Sequence, residues 1–232
     1  SYLTAEGSKE ESDGTDEKYT LKFSRSRIFE LFEIYRLNLG DLLTTEEKEI
    51  CEKLSNLEEV PEYSLSDNFG KIARDYQKRG HHWLRFLYEN KLGACLSDEM
   101  GLGKTLQTLM FIDGLYDEVK NILIVAPVSI ISNWVSEINH FTDLPVNVYY
   151  GEGRTLKDKD ENTKISITSY GVLKREFHDA LGEMEWDIVV FDEIQKLKNA
   201  SSLGAHAARN LNSKFRLALT GTPVENHFGE FH

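Results

Sequence analysis

The sequence predicts an α/β protein built on a parallel sheet with helices on both faces. Three observations carry this. From residue 71 onward, short apolar runs alternate with amphipathic helical stretches, the pattern of repeated strand–helix units. The runs are continuously apolar, which fits strands buried on both faces. The first of them opens onto a glycine-rich loop followed directly by a helical stretch, and sheets of this kind place their sites at the carboxyl ends of their strands.

Residues 1–18 are polar and carry six acids in 6–18 against Lys9 and Lys18; they read as a flexible acidic leader. Residues 19–60 read as a helical appendage. Apolar residues at 28, 29, 31, 32, 34, 35, 37 and 39 give a helix with a broad buried face, and Thr44-Thr45-Glu46-Glu47-Lys48 gives a second helix start. Pro61 and the polar run after it make a linker over 61–70, and 71–232 form the main domain. That domain is expected to open with a helix from about Lys71 to Tyr88. Its predicted strands are Leu92–Leu96, Asn121–Ala126, Val146–Tyr150, Lys164–Thr168, Asp187–Phe191 and Phe215–Leu219. Its predicted helices are Lys104–Tyr116, Ile130–Phe141, Tyr170–His178 and Leu203–Leu211.

No apolar run approaches the roughly 20 residues of a membrane span, and the first residues lack the profile of a signal peptide, so no membrane partner is expected. Cys51 and Cys95 are far apart and form no metal-type spacing. Cys95 lies in an apolar run and is expected as a buried thiol. The composition is intracellular: cytoplasm or nucleoid for a bacterial chain, nucleus for a eukaryotic one. The net charge of −12 weighs against nucleic acid, but the acid is unevenly spread, so a local cationic track remains compatible with it.

Asp98-Glu99-Met100-Gly101-Leu102-Gly103-Lys104-Thr105 lies between a predicted strand and a predicted helix. Its glycines let the backbone curl so that several N–H groups point at one anion. The helix N-terminus adds about half a positive charge. Lys104 is placed to reach the β- and γ-phosphates of a nucleotide, and Thr105 to hold Mg²⁺. Position 98 is Asp where the strict phosphate-loop pattern has Gly. Trp186 to Glu193 is an apolar run ending in two acids. Carboxylates at the mouth of a buried strand are costly unless used. Behind a phosphate loop, Asp192 would hold the Mg²⁺ shell and Glu193 would orient and deprotonate the attacking water.

Further strings place the chain in a known pattern. Arg74-Asp75-Tyr76-Gln77-Lys78-Arg79-Gly80 with Trp83-Leu84 resembles the adenine-side Q-motif of the first RecA-like lobe of superfamily-two helicases, with Ala73 where leucine is usual. Asp98–Thr105 is the form of the phosphate loop found in the Swi/Snf-type DNA translocases of that superfamily. Ala126-Pro127-Val128-Ser129 with Asn133-Trp134 resembles motif Ia, and Ile167-Thr168-Ser169-Tyr170 motif Ib. Asp192-Glu193-Ile194-Gln195, followed by Lys198-Asn199, occupies motif II, with Gln195 where His is common. Leu219-Thr220-Gly221-Thr222-Pro223-Val224-Glu225-Asn226 resembles motif III. The resemblance covers residues 70–232. Gln195 and the appendage resemble bacterial members.

The resemblance implies a RecA-like fold and an ATP-dependent motor on double-stranded DNA that remodels protein–DNA complexes. It implies that Gln77 and the loop residues Met100, Gly101, Leu102, Gly103, Lys104 and Thr105 bind ATP. Lys104, Asp192 and Glu193 would carry the chemistry, with Mg²⁺ on Thr105 and Asp192. Pro127, Ser129, Asn133, Trp134, Thr168, Ser169 and Tyr170 would touch DNA phosphates, which position a duplex without reading its bases. Gln195, Thr220, Gly221 and Thr222 would couple motifs II and III. The chain stops at His232, just past motif III. The family's second RecA-like lobe, with its arginine finger, is expected as the missing partner of a lobe that hydrolyses ATP slowly by itself.

Two other functions compete: a strand-separating helicase of the same superfamily acting on RNA or DNA, and a phosphate-loop kinase or regulatory nucleotide-binding module without a nucleic acid. His81-His82 has no acid or Cys spacing to support a metal and reads as a solvated helix face. The loop from Gly151 to Thr163 mixes Arg154, Lys157 and Lys159 with Asp158, Asp160 and Glu161 and reads as a solvated loop.

Overall fold

A computed structural model describes residues 2–10, 16–24, 45–55, 60–98, 101–156, 162–197 and 202–221. The chain divides into two compact units, Ser1–Val60 and Pro61–Phe231.

In the first unit, strands β1 (Tyr2–Glu10) and β2 (Asp16–Ser24) pair antiparallel. The register sets Leu3 opposite Phe23, Ala5 opposite Leu21 and Lys9 opposite Glu17. The expectation of a flexible leader over 1–18 is therefore corrected, and with it a wholly helical 19–60. The signal was in the sequence: Tyr19, Leu21 and Phe23 alternate with Thr20 and Lys22 at the strand period of two. The density of acids obscured it. Helix α1 (Thr45–Ser55) lies at the second predicted helix start. The helix predicted around 28–39 lies outside the described residues.

The second unit opens differently from the expected single helix over 71–88. Helix α2 (Asp67–Ile72) already begins inside the predicted linker, Ala73 and Arg74 are extended, and α3 (Asp75–Glu89) follows. The break has a local cause. The Gln77 side chain accepts the Arg74 backbone N–H at 3.0 Å, satisfying one of the donors at the start of α3 that no helical carbonyl can reach.

Six strands then form one sheet in the order β3-β8-β7-β4-β6-β5, every pair parallel. They are β3 (Ala94–Leu96), β4 (Ile122–Ala126), β5 (Val146–Val148), β6 (Ile165–Ser169), β7 (Trp186–Phe191) and β8 (Ser213–Leu219). The expected α/β, RecA-like parallel sheet is what forms. The middle strands β4, β6 and β7 are buried along their whole length, including the polar Ser166, Thr168, Ser169 and Asp187. The helices between the strands are α4 (Lys104–Asp113), α5 (Val128–Phe141), α6 (Tyr170–Glu176), α7 (Ala180–Glu183) and α8 (Leu203–Asn210).

The two faces of the sheet are filled differently. One face packs Leu123, Val125 and Val189 against Leu173 of α6 and Ala207 of α8. On the other, Phe215 of β8 meets Phe111 of α4 and Tyr88 of α3, with ring centroids 5.3 and 5.5 Å away, a spacing at which aromatic rings attract. Two helices are capped by serine: Ser169 Oγ accepts the Val172 N–H at 3.2 Å and Ser202 Oγ the Ala205 N–H at 3.1 Å.

Two further expectations are corrected. Cys95 is exposed on the edge strand β3, because an edge strand has only one covered side. His81 is fully buried, while His82 is half-buried. His82 Nδ1 accepts the Tyr63 N–H at 3.0 Å, so the pair is not a solvated face. Among the described residues no helix is long and apolar enough to cross a membrane.

Candidate functional site: the carboxyl ends of the parallel strands

The phosphate loop leaves β3 and enters α4 as the sequence requires. Gly101 and Gly103 stand at φ +86° and +72°, conformations that cost a side-chain-bearing residue energy and glycine almost nothing. At Gly103 there is a second reason: a Cβ there would lie 2.4 Å from Gln77 Nε2. The buried Gln77 thus sits against the loop, its Nε2 3.4 Å from the Leu102 carbonyl, which also accepts the Tyr76 hydroxyl at 3.1 Å. Lys104 opens α4 and its Nζ donates to the Asp98 carbonyl at 2.7 Å. Gln107, buried one turn later, donates to Asp98 Oδ2 at 3.1 Å. Thr105 is half-buried at the second position of α4. Met100 and Glu99 lie outside the described residues.

The acidic pair stands where β7 ends. The Asp192 N–H donates to the Val125 carbonyl at 2.8 Å, extending the ladder between β7 and β4 by one rung. Asp192 Oδ1 accepts the Glu193 N–H at 2.8 Å, and Oδ2 accepts the indole N–H of Trp134 at 2.8 Å. Burial pushes the Asp192 carboxyl above the usual carboxylate range. The two donated hydrogen bonds oppose this, the Glu193 charge adds to it, and the nearby Lys104 ammonium lowers it. The lysine of one motif and the aspartate of the other are therefore electrostatic neighbours. Glu193 has φ +52°, in the left-handed region that non-glycine residues seldom adopt and that clusters at functional sites. Gln195 Nε2 donates to Glu193 Oε2, and Gln195 Oε1 accepts the Thr220 hydroxyl at 2.9 Å. Thr220 is itself anchored, its N–H donating to the Leu96 carbonyl at 3.0 Å. The ends of β3, β7 and β8 are thus tied to one another. Gly221 follows, half-buried in a bend; Thr222, Lys198 and Asn199 lie outside the described residues.

The residues expected to touch DNA separate into two groups. Ser129 and Asn133 are exposed, one helical turn apart on α5, and Pro127 caps that helix from a buried position. Trp134, Thr168 and Ser169 are buried, none more than 2% exposed. Thr168 Oγ1 donates to the Tyr149 carbonyl at 2.9 Å and Ser169 caps α6. The half-buried Tyr170 donates its hydroxyl to the Asp192 carbonyl at 2.8 Å. The expectation that Trp134, Thr168 and Ser169 contact a duplex through their side chains is corrected, because each is turned inward and already engaged.

Three residues at the site were missed as candidates. Gln107 had a readable signal, since a glutamine in a strongly apolar helix must find a partner. Tyr76 lay within the Q-motif string without a role. Glu137, whose carboxyl is raised by burial and by the nearby Asp192, gave no signal, because only the fold brings α5 beside β7.

Comparison with known proteins agrees with this geometry. The family model described as the SNF2-related domain matches residues 76–232. Bacillus subtilis YwqA is 36% identical over 196 residues, covering 81% of this chain and 21% of its own length. The ISWI chromatin-remodeling complex ATPase ISW2 of Saccharomyces cerevisiae is 41% identical over 172 residues, covering 69% of this chain and 15% of its own. A solved Sulfolobus solfataricus SWI2/SNF2 ATPase core in complex with dsDNA superposes with a TM-score of 0.64 at 37% identity, over 74% of this chain and 36% of that one. The chain thus spans only about a fifth or less of the length of these two curated relatives. A glycine loop held by Gln77, an Asp192 carboxyl with the Lys104 charge nearby and a family match over residues 76–232 place the chain in the SNF2-related domain family.

Proposed function

We propose that this chain is the ATP-binding lobe of a double-stranded-DNA translocase that uses ATP hydrolysis to remodel protein–DNA complexes inside the cell. The observation that carries the reading is the glycine loop that leads into Lys104 at the start of α4, with Asp192 close enough to feel the Lys104 charge and linked onward through Glu193 and Gln195 to Thr220. Lys104 would leave the Asp98 carbonyl for the β- and γ-phosphates, and the loop N–H groups would cradle them. Gln77 would close the adenine side.

The residues present fit Mg²⁺. The described residues hold no cluster of three or more His, Cys, Asp or Glu that could bind a metal by themselves, and Mg²⁺ does not need one: it takes one or two protein oxygens and completes its shell with phosphates and water. Thr105 and Asp192 would hold it, and when bound it offsets charge on the β- and γ-phosphate oxygens. Glu193 would orient the attacking water and take its proton. Gln195, held between Glu193 and Thr220, would report the state of the base to motif III.

Duplex contact is supported by the likeness to a SWI2/SNF2 core solved with dsDNA and by the exposed Ser129 and Asn133 on α5. Contacts confined to phosphates give weak, sequence-independent binding that falls steeply with salt. The match covers 36% of that core, which supports a second RecA-like lobe as the supplier of an arginine finger, a charge that typically contributes about 10³–10⁵ in rate.

Steady-state phosphate release tests the reading. Residues 1–232 alone should turn over ATP slowly with or without duplex. Joined to the second lobe of a full-length SNF2 protein, they should show duplex-stimulated turnover. Stimulation by single-stranded DNA or RNA instead would favour a strand-separating helicase. Failure of any nucleic acid to bind or stimulate would favour a nucleotide-binding module of another kind.

A further inference from the structure

Two aromatic residues from the motifs expected to face DNA converge instead on one residue of the nucleotide site. Trp134 Nε1 donates to Asp192 Oδ2, and the Tyr170 hydroxyl donates to the Asp192 backbone carbonyl, each at 2.8 Å. Trp134 lies on α5, the helix whose exposed side carries Ser129 and Asn133, and Tyr170 is the first residue of α6. The Glu193 N–H engages the other carboxylate oxygen. Both carboxylate oxygens and the carbonyl of Asp192 are therefore held, from two helices and from the next residue of the chain.

A buried indole N–H must be satisfied, so the bond from Trp134 could be no more than that. The choice of acceptor argues otherwise. A carboxylate with a donor on each oxygen is fixed in rotamer while each oxygen keeps a lone pair, the condition a metal-holding carboxylate needs. Groups that orient a ligating side chain typically cost about 10–100-fold in metal affinity when removed.

We propose that Trp134 and Tyr170 are positioning residues for the metal site: from the two motif helices they hold the carboxylate and backbone of Asp192 in the orientation that receives Mg²⁺ with the nucleotide. This rests on the reading of Asp192 as a Mg²⁺-holding residue. Trp186 supplies a matched control. It is as buried as Trp134, and its Nε1 donates to the Leu181 carbonyl at 3.0 Å, but it starts β7, at the end of the strand away from Asp192.

The experiment is calorimetric titration of the full chain with ADP, in Mg²⁺ and in EDTA. Wild type should bind more tightly in Mg²⁺. Trp134→Phe and Tyr170→Phe should each lose about tenfold of that gain with affinity in EDTA unchanged. Trp186→Phe should match wild type in both, and Asp192→Asn should lose the whole gain. Should Trp134→Phe fail to fold, Tyr170→Phe, which removes one hydroxyl, carries the test alone. Retention of the full gain by both aromatic variants while Asp192→Asn loses it overturns the positioning role and leaves the metal reading standing. An equal loss in Trp186→Phe overturns it too, as general damage. Retention of the gain by Asp192→Asn overturns both.

Discussion

The mouth of the sheet at β3 and β7 and the outer surface of α5 and α6 answer to different rules. At the mouth, function depends on short-range backbone features: two glycines at positive φ, a lysine at the first turn of α4, two acids where an apolar strand stops. On α5 and α6 it depends on which way each side chain turns, and there the sequence misleads. Of the side chains expected to meet DNA, Trp134 of α5 is buried, as are Thr168 and Ser169 at the end of β6 just before α6, and Trp134 and Tyr170 hydrogen-bond to Asp192. The single helix α5 thus exposes Ser129 and Asn133 on one side and turns Trp134 to Asp192 on another.

This contrast can be broken by mutation. The largest effect is expected at the mouth. With the second lobe supplied, Glu193→Gln should lower hydrolysis about 10²–10⁴-fold, the usual contribution of a general base, while ATP affinity stays within about twofold; phosphate release and calorimetry read the two separately. Matching losses in binding and turnover would make Glu193 structural.

The sheet domain also holds a buried titratable group, beside Gly114 at the end of α4 away from the phosphate loop. His81 of α3 is fully buried, with the backbone of Ser64 and Met110 beside its ring. Burial, helped by the charges of His82 and Arg85, lowers its pKa to about 4, and the backbone carbonyls of Ser64 and Met110 offset only part of this. The depressed folded value means that the unfolded chain binds the proton more readily. Stability is complete above about pH 6.5, falls as the pH drops toward 4 and levels off below it, with about 3 kcal/mol at stake. Thermal denaturation at pH 7 and pH 5 should show wild type losing stability more steeply than His81→Leu.

Next in size, Lys104→Ala removes a charge-assisted contact to phosphate and should weaken ATP about 10–100-fold without changing duplex affinity. Smallest is the outer surface. Ser129→Ala with Asn133→Ala should weaken duplex binding about threefold and leave nucleotide affinity unchanged. Because neither residue is charged, the salt slope should not move, since that slope counts cations released by Lys and Arg. A changed slope would mean that the double variant had shifted a basic residue as well.

The central strands of the sheet domain were readable as apolar runs between polar turns: β4, β6 and β7 stand within one or two residues of the predicted runs, whereas the four-residue α7 is too short to show a helical period and was not predicted. The β1–β2 pair was hidden by composition, and the break at Ala73 and Arg74 by a side-chain cap that propensity does not register. At the site, Lys104, Asp192 and Glu193 were visible because two acids closing an apolar run and a lysine behind glycines are unusual in themselves. The link from Gln195 to both Glu193 and Thr220 was harder to see, because Thr220 is 25 residues away along the chain and only parallel pairing of β7 with β8 brings the two together.

The sequence by itself determined the class of sheet, the phosphate loop, the acidic pair and the family resemblance, all of which are written in short windows where neighbours in the chain are neighbours in space. The tertiary structure decided what the polar and aromatic residues of α5 and α6 meet, and so which wait for a partner outside and which hold Asp192 inside. The reason is geometric. A helix turns about 100° per residue, so the adjacent Asn133 and Trp134 point different ways. The buried face of α5, Ile131, Trp134 and Ile138, has a spacing visible in the sequence, but which group Trp134 meets beneath it is set only by the packing of the helix on the sheet.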